Sequence, residues 1–518
     1  MSPSHKALIL DVHLMSLEEK LTALAFQGLA NRTGPNVFYK SAFWNWPEAD
    51  EFWPRTLAER KGFAFEEVGS LPELIERLPG VAKGLVIWDP CVEKTKWIAC
   101  VYAGLDDLLP VAPECAARYG DLPTAHDLRG KFEGEVEAYD WSIGELLPRC
   151  NRTLAYSVEK TWSGWTVDSL DYAVGEKAFV YRLDREGKNS EAEVQLAHKM
   201  MSQIGPLARI LGWGEPEDKY CELVSFHDNF VFCAEAPNLS FFAKVPSDGR
   251  KWKQPARRDP ATFKLEKKHY IAFCMSEGDT PKMAVSMQGG AWFDKNRGKV
   301  PVNWGCQPLN MKYFPCVMEY YFDTATDQDY FMGGASGAGY VYPNQCPNPD
   351  AYFRHTGEMF RMGDLSETDS WMHFSRPVYE RYAELSGLRG IAMPCGPYGV
   401  TKLCGGKAVA LFRGNSGLNY FSQFSAEALA EQIRKHTGTR AKPSFSVAHL
   451  VPDKDNPTAQ GGFSPGDFIK VREMLGGDDY KIVTMQELTE LAIRALGEGK
   501  VRDCQDPDYS ESGDYSKE

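Results

Sequence analysis

The stretch FMGGASGAGYVYPNQ, residues 331–345, joins an apolar run to a loop of small residues. Glycine adopts positive φ without steric cost, so the backbone of residues 333–339 can turn sharply or approach another group closely. The apolar residues before it predict a strand that opens into this loop. Tyr340 and Tyr342 then become candidates for contact with a substrate, although two tyrosines packed beside a tight turn would have the same pattern.

The length and composition of the chain limit what it can be. A chain of 518 residues is too long for one compact core and predicts two to four domains. A net charge of -13 argues against nucleic acid and anionic membranes as partners, because both attract basic surfaces. The 13 Trp, 23 Tyr and 28 Phe residues suit contacts with sugar rings, and they suit a core equally well.

The 13 cysteines are odd in number, scattered and without a C-x-x-C pair. This pattern favours thiols in a reducing compartment over a disulfide framework. The apolar patch Ala7–Leu10 is interrupted by Asp11 and is too short for a signal peptide. The sequence therefore predicts a cytoplasmic protein, or a secreted or periplasmic one if a leader has been removed.

Residues 1–245 have the pattern of repeated α/β units. Apolar segments that end in an acid recur at 84–89, 178–184 and 223–228, with helical patterns between them. Acids also commonly cap the helix that follows a strand, so three such endings can arise by chance. We interpret the region as three divergent α/β repeats.

Residues 246–268 change character, with eight Lys or Arg residues against three Asp or Glu residues. Since the segment also lacks an apolar period, it is predicted to be a solvated linker between domains. A basic patch that binds phosphate or acids is the alternative. The tail 501–518 is acidic and polar and is predicted to be disordered.

Residues 269–500 alternate short apolar strands with helices. The predicted strands are 270–276, 300–304, 330–333, 390–394, 408–413, 444–451 and 481–484. The predicted helices are 309–321, 378–385, 426–436, 465–475 and 486–496. Seven strands that alternate with helices over about 230 residues predict a parallel sheet closed into a seven-stranded β/α barrel.

Active sites of β/α barrels lie at the carboxyl ends of the strands. Strand 270–276 ends beside Glu277 and Asp279, two carboxylates next to a glycine, as general acid–base or metal chemistry would need. A helix N-cap is the alternative, but no clear helix follows directly. We predict that these two acids are catalytic.

Polar and aromatic residues belong to three other predicted strands or follow them. Asn303 and Trp304 close the second strand, where the tryptophan could stack on a sugar or lie buried. Arg413 and Asn415 flank a glycine at the end of the fifth strand. His449 lies in the sixth strand, where a histidine is more often packed than catalytic, and we predict a substrate contact at most.

Asp327 and Asp329 are spaced as a pair that could activate and orient water in an inverting hydrolase. A solvated loop explains them equally well. They precede the third strand, which predicts that they lie at the opposite end of the barrel from Glu277. The ten histidines have no metal-binding spacing, and phosphate loops and serine elbows are absent from the sequence, so we predict no metal and no cofactor.

Over residues 1–500 the chain resembles the GxGYxYP family, whose motif stands complete at Gly337–Pro343 and is preceded by DYFMGG at 329–334. The resemblance implies three divergent α/β repeats followed by a seven-stranded β/α barrel. It also implies a glycoside hydrolase of a kind associated with polysaccharide-degrading bacteria, with its site in the cleft between these two regions.

The resemblance further implies a catalytic set of one Glu and a pair of Asp residues at D-x-D spacing. Carried onto this sequence, the set falls on Glu277, Asp327 and Asp329, with Asp279 as a substitute for one of the pair.

The favoured hypothesis is a glycoside hydrolase that acts on an oligo- or polysaccharide. Glu277 would protonate the leaving oxygen, and Asp327 or Asp329 would activate water. One alternative is a metal-dependent carbohydrate deacetylase, which would need His355 or His449 beside the acids that follow the first strand. The other alternative is a non-catalytic carbohydrate-binding protein, and all three predict a carbohydrate partner.

Overall fold

The chain forms two compact units in the computed structural model. The model describes residues 5–41, 46–161, 164–183, 190–233, 235–275, 280–370, 375–393, 398–405, 407–414, 418, 425–452 and 462–504. The first unit takes the described residues of Met1–Phe43, Pro47–Ser247 and Phe314–Cys316, and the second those of Trp44–Trp46, Asp248–Tyr313 and Val317–Glu518. None of the described helices has both the length and the apolar character needed to cross a membrane.

The first unit is built mainly on short parallel strands. They are β1 (His5–Asp11), β2 (Val37–Lys40), β3 (Phe63–Val68), β4 (Gly84–Ile87), β5 (Leu108–Val111), β6 (Thr124–Asp127), β7 (Leu154–Ser157), β8 (Glu159–Thr161), β9 (Gly164–Thr166), β10 (Phe179–Tyr181), β11 (Arg209–Gly212) and β12 (Phe230–Phe232). β4 and β7 are buried along their whole length, as expected for parallel strands covered on both faces. β8 and β9 form a separate antiparallel hairpin.

Within the described residues, the parallel strands of this unit form three sheets that share one strand order. The orders are β2-β1-β3, β5-β4-β6 and β10-β7-β11-β12. In each sheet the first strand lies between the second and the third, leaving the hairpin aside. The chain therefore moves to one side of its first strand and then crosses to the other, as in doubly wound sheets. Divergent copies of one α/β unit would show this repetition.

Helices connect these strands. They are α1 (Leu17–Ala30), α2 (Ala49–Lys61), α3 (Leu71–Arg77), α4 (Thr95–Asp106), α5 (Glu135–Glu145), α6 (Leu170–Gly175), α7 (Ser190–Met201), α8 (Glu217–Phe226) and α9 (Leu239–Phe242). The segment 223–228, predicted as a strand, lies mostly in α8, so that prediction was wrong. Tyr220 and Val224 lie one helical turn apart and are both buried, which is the period of a helix.

The second unit contains one large sheet. Its strands are β13 (His269–Met275), β14 (Val302–Cys306), β15 (Asp329–Gly333), β16 (Glu367–Asp369), β17 (Gly390–Ala392), β18 (Gly399–Gly405), β19 (Lys407–Arg413), β20 (Ser444–Leu450) and β21 (Tyr480–Ile482). Adjacent strands are parallel along the path β19-β17-β16-β15-β14-β13-β20, and β18 is antiparallel to β19. No ladder joins β19 to β20 within the described residues, so the sheet is a curled half-barrel and the closed seven-stranded barrel is not confirmed.

Six of the predicted strands correspond to β13, β14, β15, β17, β19 and β20. The predicted seventh strand, 481–484, overlaps the short β21, which pairs with the amino end of β13. β16 was not predicted, because Glu-Thr-Asp has no apolar period, and β18 was not predicted either.

The helices of this part of the chain are α10 (Pro281–Val285), α11 (Pro308–Tyr313), α12 (Pro315–Thr324), α13 (Pro349–Gly363), α14 (Arg376–Ser386), α15 (Ala426–Thr437), α16 (Pro465–Leu475) and α17 (Met485–Gly497). α17 packs on one face of the curled sheet, which we call the inner face. The sheet contributes Tyr270, Ala272, Cys274, Tyr330, Met332, Ala392, Ala410, Phe412, Phe445 and Val447 to this core. α17 contributes Met485, Leu488, Leu491, Ala492 and Ala495.

The basic segment 246–268 differs from the solvated linker that its composition predicts. Gln254, Ala256 and Phe263 are buried. The Gln254 amide bonds to both backbone groups of Phe331 in β15 and accepts from the nitrogen at 3.0 Å, as a neighbouring strand would. Of the tail predicted to be disordered, residues 505–518 lie outside the described residues.

The buried Asp171, in the first turn of α6, predicts a pH-dependent stability. Its carboxylate accepts from the backbone nitrogen of Ser240 at 2.8 Å, and burial raises its pKa to about 7. A pKa raised in the folded state means that the stabilising contribution is complete below the unfolded value of 3.8 and is lost as the pH rises through about 7. We therefore expect the melting temperature, Tm, to fall less between pH 5 and pH 8 in Asp171→Asn than in the wild type, as measured by thermal unfolding.

The half-exposed Asp218 provides a control in the same unit, since Asp218→Asn should keep the wild-type dependence on pH. Equal losses of Tm in the wild type and in Asp171→Asn would contradict the prediction.

Candidate functional site

The motif loop, residues 334–343, follows β15 and has an unusual backbone. Gly337 and Gly339 have φ angles of 117° and 154°. A Cβ atom on Gly337 would lie 2.3 Å from the hydroxyl oxygen of Tyr382, so a larger residue has no room there. Close packing therefore accounts for the first glycine of the motif.

Hydroxyl groups from two helices hold the loop. Tyr352 Oη, on α13, donates to the carbonyl oxygens of Ser336 and Gly339 at 2.9 and 2.6 Å. Tyr382 Oη, on α14, donates to the Ser336 carbonyl at 2.5 Å, and the Thr356 hydroxyl accepts from a loop backbone nitrogen at 3.3 Å. These bonds fix the course of the backbone after β15.

The two tyrosines of the motif pack within the protein. Tyr340 and Tyr342 are 7% and 5% exposed, with their rings edge to face at a centroid distance of 5.7 Å. Because both rings are buried and pack on each other, the structure favours two tyrosines packed beside a turn over an open surface that binds sugar.

Asp369 lies beside the motif loop, at the carboxyl end of β16. Its carbonyl oxygen accepts from the Ser336 nitrogen at 3.2 Å. In the sheet Asp369 is aligned with Ala392, which is aligned in turn with Phe412. Ala392 and Phe412 belong to the core around α17. Aligned residues of parallel strands share a face, so Asp369 lies on the inner face, where it is 5% exposed.

The curl of the sheet brings Asp369 within electrostatic range of β13. Burial raises the pKa of Cys274 well above its usual value, and the charge of Asp369 raises it further. β14 and β15 separate β13 from β16 in the hydrogen-bonded order, so the interaction runs across the inner face. Cys274 therefore carries a protonated thiol, and Asp369 faces the interior of the half-barrel.

His449 lies on the same inner face, at the carboxyl end of β20. It is aligned with Cys274 in the sheet and is fully buried. Burial lowers the pKa of His449 to about 4, so its imidazole is neutral at pH 7. A buried carboxyl group and a neutral imidazole therefore belong to the carboxyl-end layer of the sheet, where barrel enzymes hold their chemistry.

Three of the predicted site residues lie outside the described residues: Glu277, Asp279 and Asn415. In the sequence, Glu277 and Asp279 follow closely after Met275, the last residue of β13, and Asn415 follows Arg413, the last residue of β19. Their assignment stays a prediction.

The predicted aspartate pair lies at the amino end of the sheet. Asp329, the first residue of β15, is fully buried and accepts from Trp304 Nε1 at 2.8 Å, from Arg297 at 2.5 Å and from the Thr326 hydroxyl at 2.8 Å. Asp327 is largely exposed. Asp329 thus makes a structural ion pair at the end opposite to Asp369.

The predicted sugar contacts at the second and fifth strands have structural partners. Trp304 is fully buried. Asn303 donates to the Phe273 carbonyl at 2.9 Å and accepts from the Met485 nitrogen at 2.6 Å, which ties β14 to β13 and to α17. Arg413 alternates with the inner-face Phe412, so it points to the other face, and it donates to Thr401 Oγ1 at 3.3 Å.

Asp369 was not predicted as a site residue, because the polar strand β16 does not stand out in the sequence. The one sequence signal that could have found it is its place between two helical patterns, where a barrel requires a strand. Across the described residues, no group of three or more His, Cys, Asp or Glu side chains is arranged to hold a metal ion.

Three family descriptions match the chain. Residues 82–150 match the "GxGYxYP_N second domain", residues 166–244 the "GxGYxYP third domain", and residues 267–452 the "GxGYxYP putative glycoside hydrolase C-terminal domain". Among curated proteins, none matches the chain with significance.

A crystal structure of a "putative hydrolase" from Bacteroides thetaiotaomicron VPI-5482 has the same fold, with a TM-score of 0.78 over 96% of each chain and 16% identity. A crystal structure of a "putative polysaccharide deacetylase" from Mycobacterium smegmatis matches 47% of this chain and 95% of its own, with a TM-score of 0.33 and 10% identity. The first comparison establishes the likeness of fold.

The packing of Gly337 predicts a large effect of substitution. Gly337→Ala adds a clash with Tyr382 to the cost of a positive φ, and we expect it to lower stability by ~1–3 kcal/mol more than Gly387→Ala, measured by thermal unfolding. Gly387 also has a positive φ, of 74°, but nothing lies within 4 Å of its Cβ position, so it isolates the backbone cost of ~1 kcal/mol.

The clash itself can be tested in a double-mutant cycle. Tyr382→Phe removes the contacting oxygen, so the cost of Gly337→Ala should be smaller in that background. Equal effects of Gly337→Ala in both backgrounds would assign the clash to Thr356, whose Cγ2 atom lies 2.7 Å from the Cβ position. Equal costs of Gly337→Ala and Gly387→Ala in the wild type would contradict the close packing.

Proposed function

This chain belongs to the GxGYxYP family, and we propose that it hydrolyses glycosidic bonds in an oligo- or polysaccharide. The description of the family's C-terminal domain as a glycoside hydrolase supports the reaction class. The likeness of fold to a protein described as a hydrolase is consistent with it. The observation that carries the proposal is the inner-face position of Asp369 at the carboxyl ends of the strands.

Glycoside hydrolysis needs two carboxyl groups, one that donates a proton to the leaving oxygen and one that acts on the anomeric carbon or on water. We assign the second role to Asp369, which the motif loop holds through its backbone. Glu277 remains our assignment for the proton donor, because it follows β13 by two residues in the sequence.

His449 has a supporting part in this proposal. Because its imidazole is neutral, one ring nitrogen can donate and the other can accept a hydrogen bond. A group of this kind can orient a sugar hydroxyl without adding a charge beside the carboxylates. The lowered pKa also means that His449 keeps this form throughout the neutral and mildly acidic range.

Asp369→Asn and Glu277→Gln test the assignment of the two carboxyl groups. Each variant keeps the shape of its side chain and removes an acid, so we expect kcat to fall ~10²–10⁴-fold. Turnover would be followed by mass spectrometry with oligosaccharides and aryl glycosides. Asp478→Asn, on the exposed surface, is the control that should retain wild-type turnover.

Two further variants distinguish the roles. Asp327→Asn should retain turnover if Asp369 rather than the D-x-D pair acts, because Asp327 is exposed at the amino end. Asp369→Ala opens space in which azide can attack the anomeric carbon while Glu277 protonates the leaving group, so a glycosyl azide should form.

Full turnover in Asp369→Asn would discard the assignment of that carboxylate. Release of acetate without cleavage of the sugar chain would favour the deacetylase. Sugar binding without any turnover in the wild type would favour the binding protein.

A further inference from the structure

Two pairs of neighbouring aromatic residues in the second unit are each divided between the core and the surface. In the short 3-10 turn Ala291–Phe293, Trp292 is 1% exposed and Phe293 is 45% exposed. On α12, Tyr321 is 1% exposed and Tyr320 is partly exposed. One ring of each pair therefore belongs to the core, and the other lies at the surface.

The buried rings form a rigid support. Trp292 packs edge to face on Tyr321 and on Trp304, at centroid distances of 4.6 and 5.1 Å. Its indole nitrogen donates to Thr324 Oγ1 at 3.0 Å, and its carbonyl oxygen accepts from Arg297 Nε at 2.8 Å. The backbone that carries the neighbouring exposed ring is therefore held in place.

The surface rings lie next to one another. Trp46, which belongs to the second unit, stacks on Phe293 at a centroid distance of 5.3 Å and an interplanar angle of 29°. The centroid of the Tyr320 ring lies 6.5 Å from that of Phe293. Trp46 and Tyr320 are both partly exposed. We call these three residues the aromatic patch.

The backbone before Phe293 gives the Trp46 indole its place. Gly290 has a φ angle of 79°, and a Cβ atom on it would lie 2.9 Å from Trp46 Cδ1. Met287 and Gln288, which are not glycine, also have positive φ angles, of 52° and 56°. Such conformations are unfavourable and persist where the surrounding structure fixes them, often at binding sites. The patch is thus built on a constrained segment.

The small size of the patch argues against a protein as its partner. A stable protein interface buries about 800 Å² on each side. Among the described residues, the exposed large apolar side chains are Leu14, Phe226 and Phe293, and the first two belong to the first unit. The described part of the second unit thus surrounds Phe293 with no wider apolar surface, which suits a ligand the size of one or two sugar rings.

We propose that the aromatic patch is a surface site that stacks on the pyranose rings of a polysaccharide, an assignment that rests on the proposed glycoside hydrolase function. The face of an aromatic ring carries partial negative charge. The axial C–H groups of a pyranose form a flat apolar face with partial positive charge, so the two faces attract each other. Tyr340 and Tyr342 of the motif are buried, so they do not offer an open face of this kind.

The patch is separate from the group around Asp369. Arg297, which bonds to the Trp292 carbonyl, also pairs with Asp329 at the amino end of the sheet. Asp369 lies at the carboxyl end. A polymer held at the patch would keep the substrate concentrated beside the enzyme without occupying its catalytic site.

Native gel electrophoresis of the full chain with a soluble polysaccharide in the gel measures this binding. The probes are hydroxyethyl cellulose, arabinoxylan, galactomannan and amylose. At least one polymer should retard the wild type, and its apparent Kd should rise roughly tenfold in Phe293→Ala. Phe293→Tyr keeps the ring and should retain binding. Phe226→Ala, at a position 53% exposed in the first unit, is the matched control and should also retain it.

Phe293→Leu separates ring stacking from apolar contact, because it keeps an apolar side chain and removes the aromatic face. It should bind as weakly as Phe293→Ala, and Trp46→Ala replaces either variant if thermal unfolding shows that it does not fold. Wild-type affinity in Phe293→Leu or Phe293→Ala, an equal loss in Phe226→Ala, or no retardation of the wild type by any probe would overturn the proposal. A dimer in sedimentation that Phe293→Ala converts to a monomer would also overturn it, because a second copy would then cover the ring.

Turnover of an aryl glycoside, which occupies the catalytic site alone, separates this site from the proposed hydrolysis. We expect Phe293→Ala to keep the wild-type kcat/KM on that substrate. If the wild type hydrolyses aryl glycosides and Phe293→Ala binds every polymer as the wild type does, the hydrolase stands and the surface site falls. If the wild type hydrolyses nothing but is retarded by a polymer through Phe293, the surface site stands and the hydrolase falls.

Discussion

The packing of α17 on the inner face of the curled sheet is the constraint from which the second unit follows. Five apolar side chains of that helix pack on the inner face. In a closed barrel, side chains from the barrel's own strands would fill this space. Asn303 ties the first residue of α17 to β14 and β13, so the helix and the sheet are held in one register. Asp369 and His449 lie on this face at the carboxyl ends of β16 and β20.

The polar groups at the two ends of the sheet are bonded in different ways. At the amino end, Asp329 and Arg297 make a buried ion pair whose oxygens are all bonded, an arrangement that stabilises the fold. At the carboxyl end, the motif loop is held by tyrosine hydroxyls and bonds to the backbone of Asp369. The glycines and tyrosines of the motif thus position a neighbouring strand end, which explains why its rings are buried rather than open to a ligand.

Apolar periodicity predicted most of the second unit, because β13, β15, β19 and β20 are long enough to show it. It failed at β16, three residues without an apolar side chain, and at 223–228, where an apolar helix face looked like a strand. The site was harder to predict. The D-x-D spacing of Asp327 and Asp329 suggested chemistry, and only the fold shows that Asp329 is buried and bonded to Arg297 and Trp304. Asp369 belongs to no motif, since only the fold reveals that it is buried on the inner face.

The late position of α17 in the chain has a consequence for biosynthesis. The three sheets of the first unit each draw on a short stretch of sequence, so a nascent chain can assemble them one after another as it leaves the ribosome. β13 must instead wait for β20, β21 and α17, which are translated last. Until then, the apolar inner face stays uncovered, and the half-barrel is the part of the protein that would depend on chaperones.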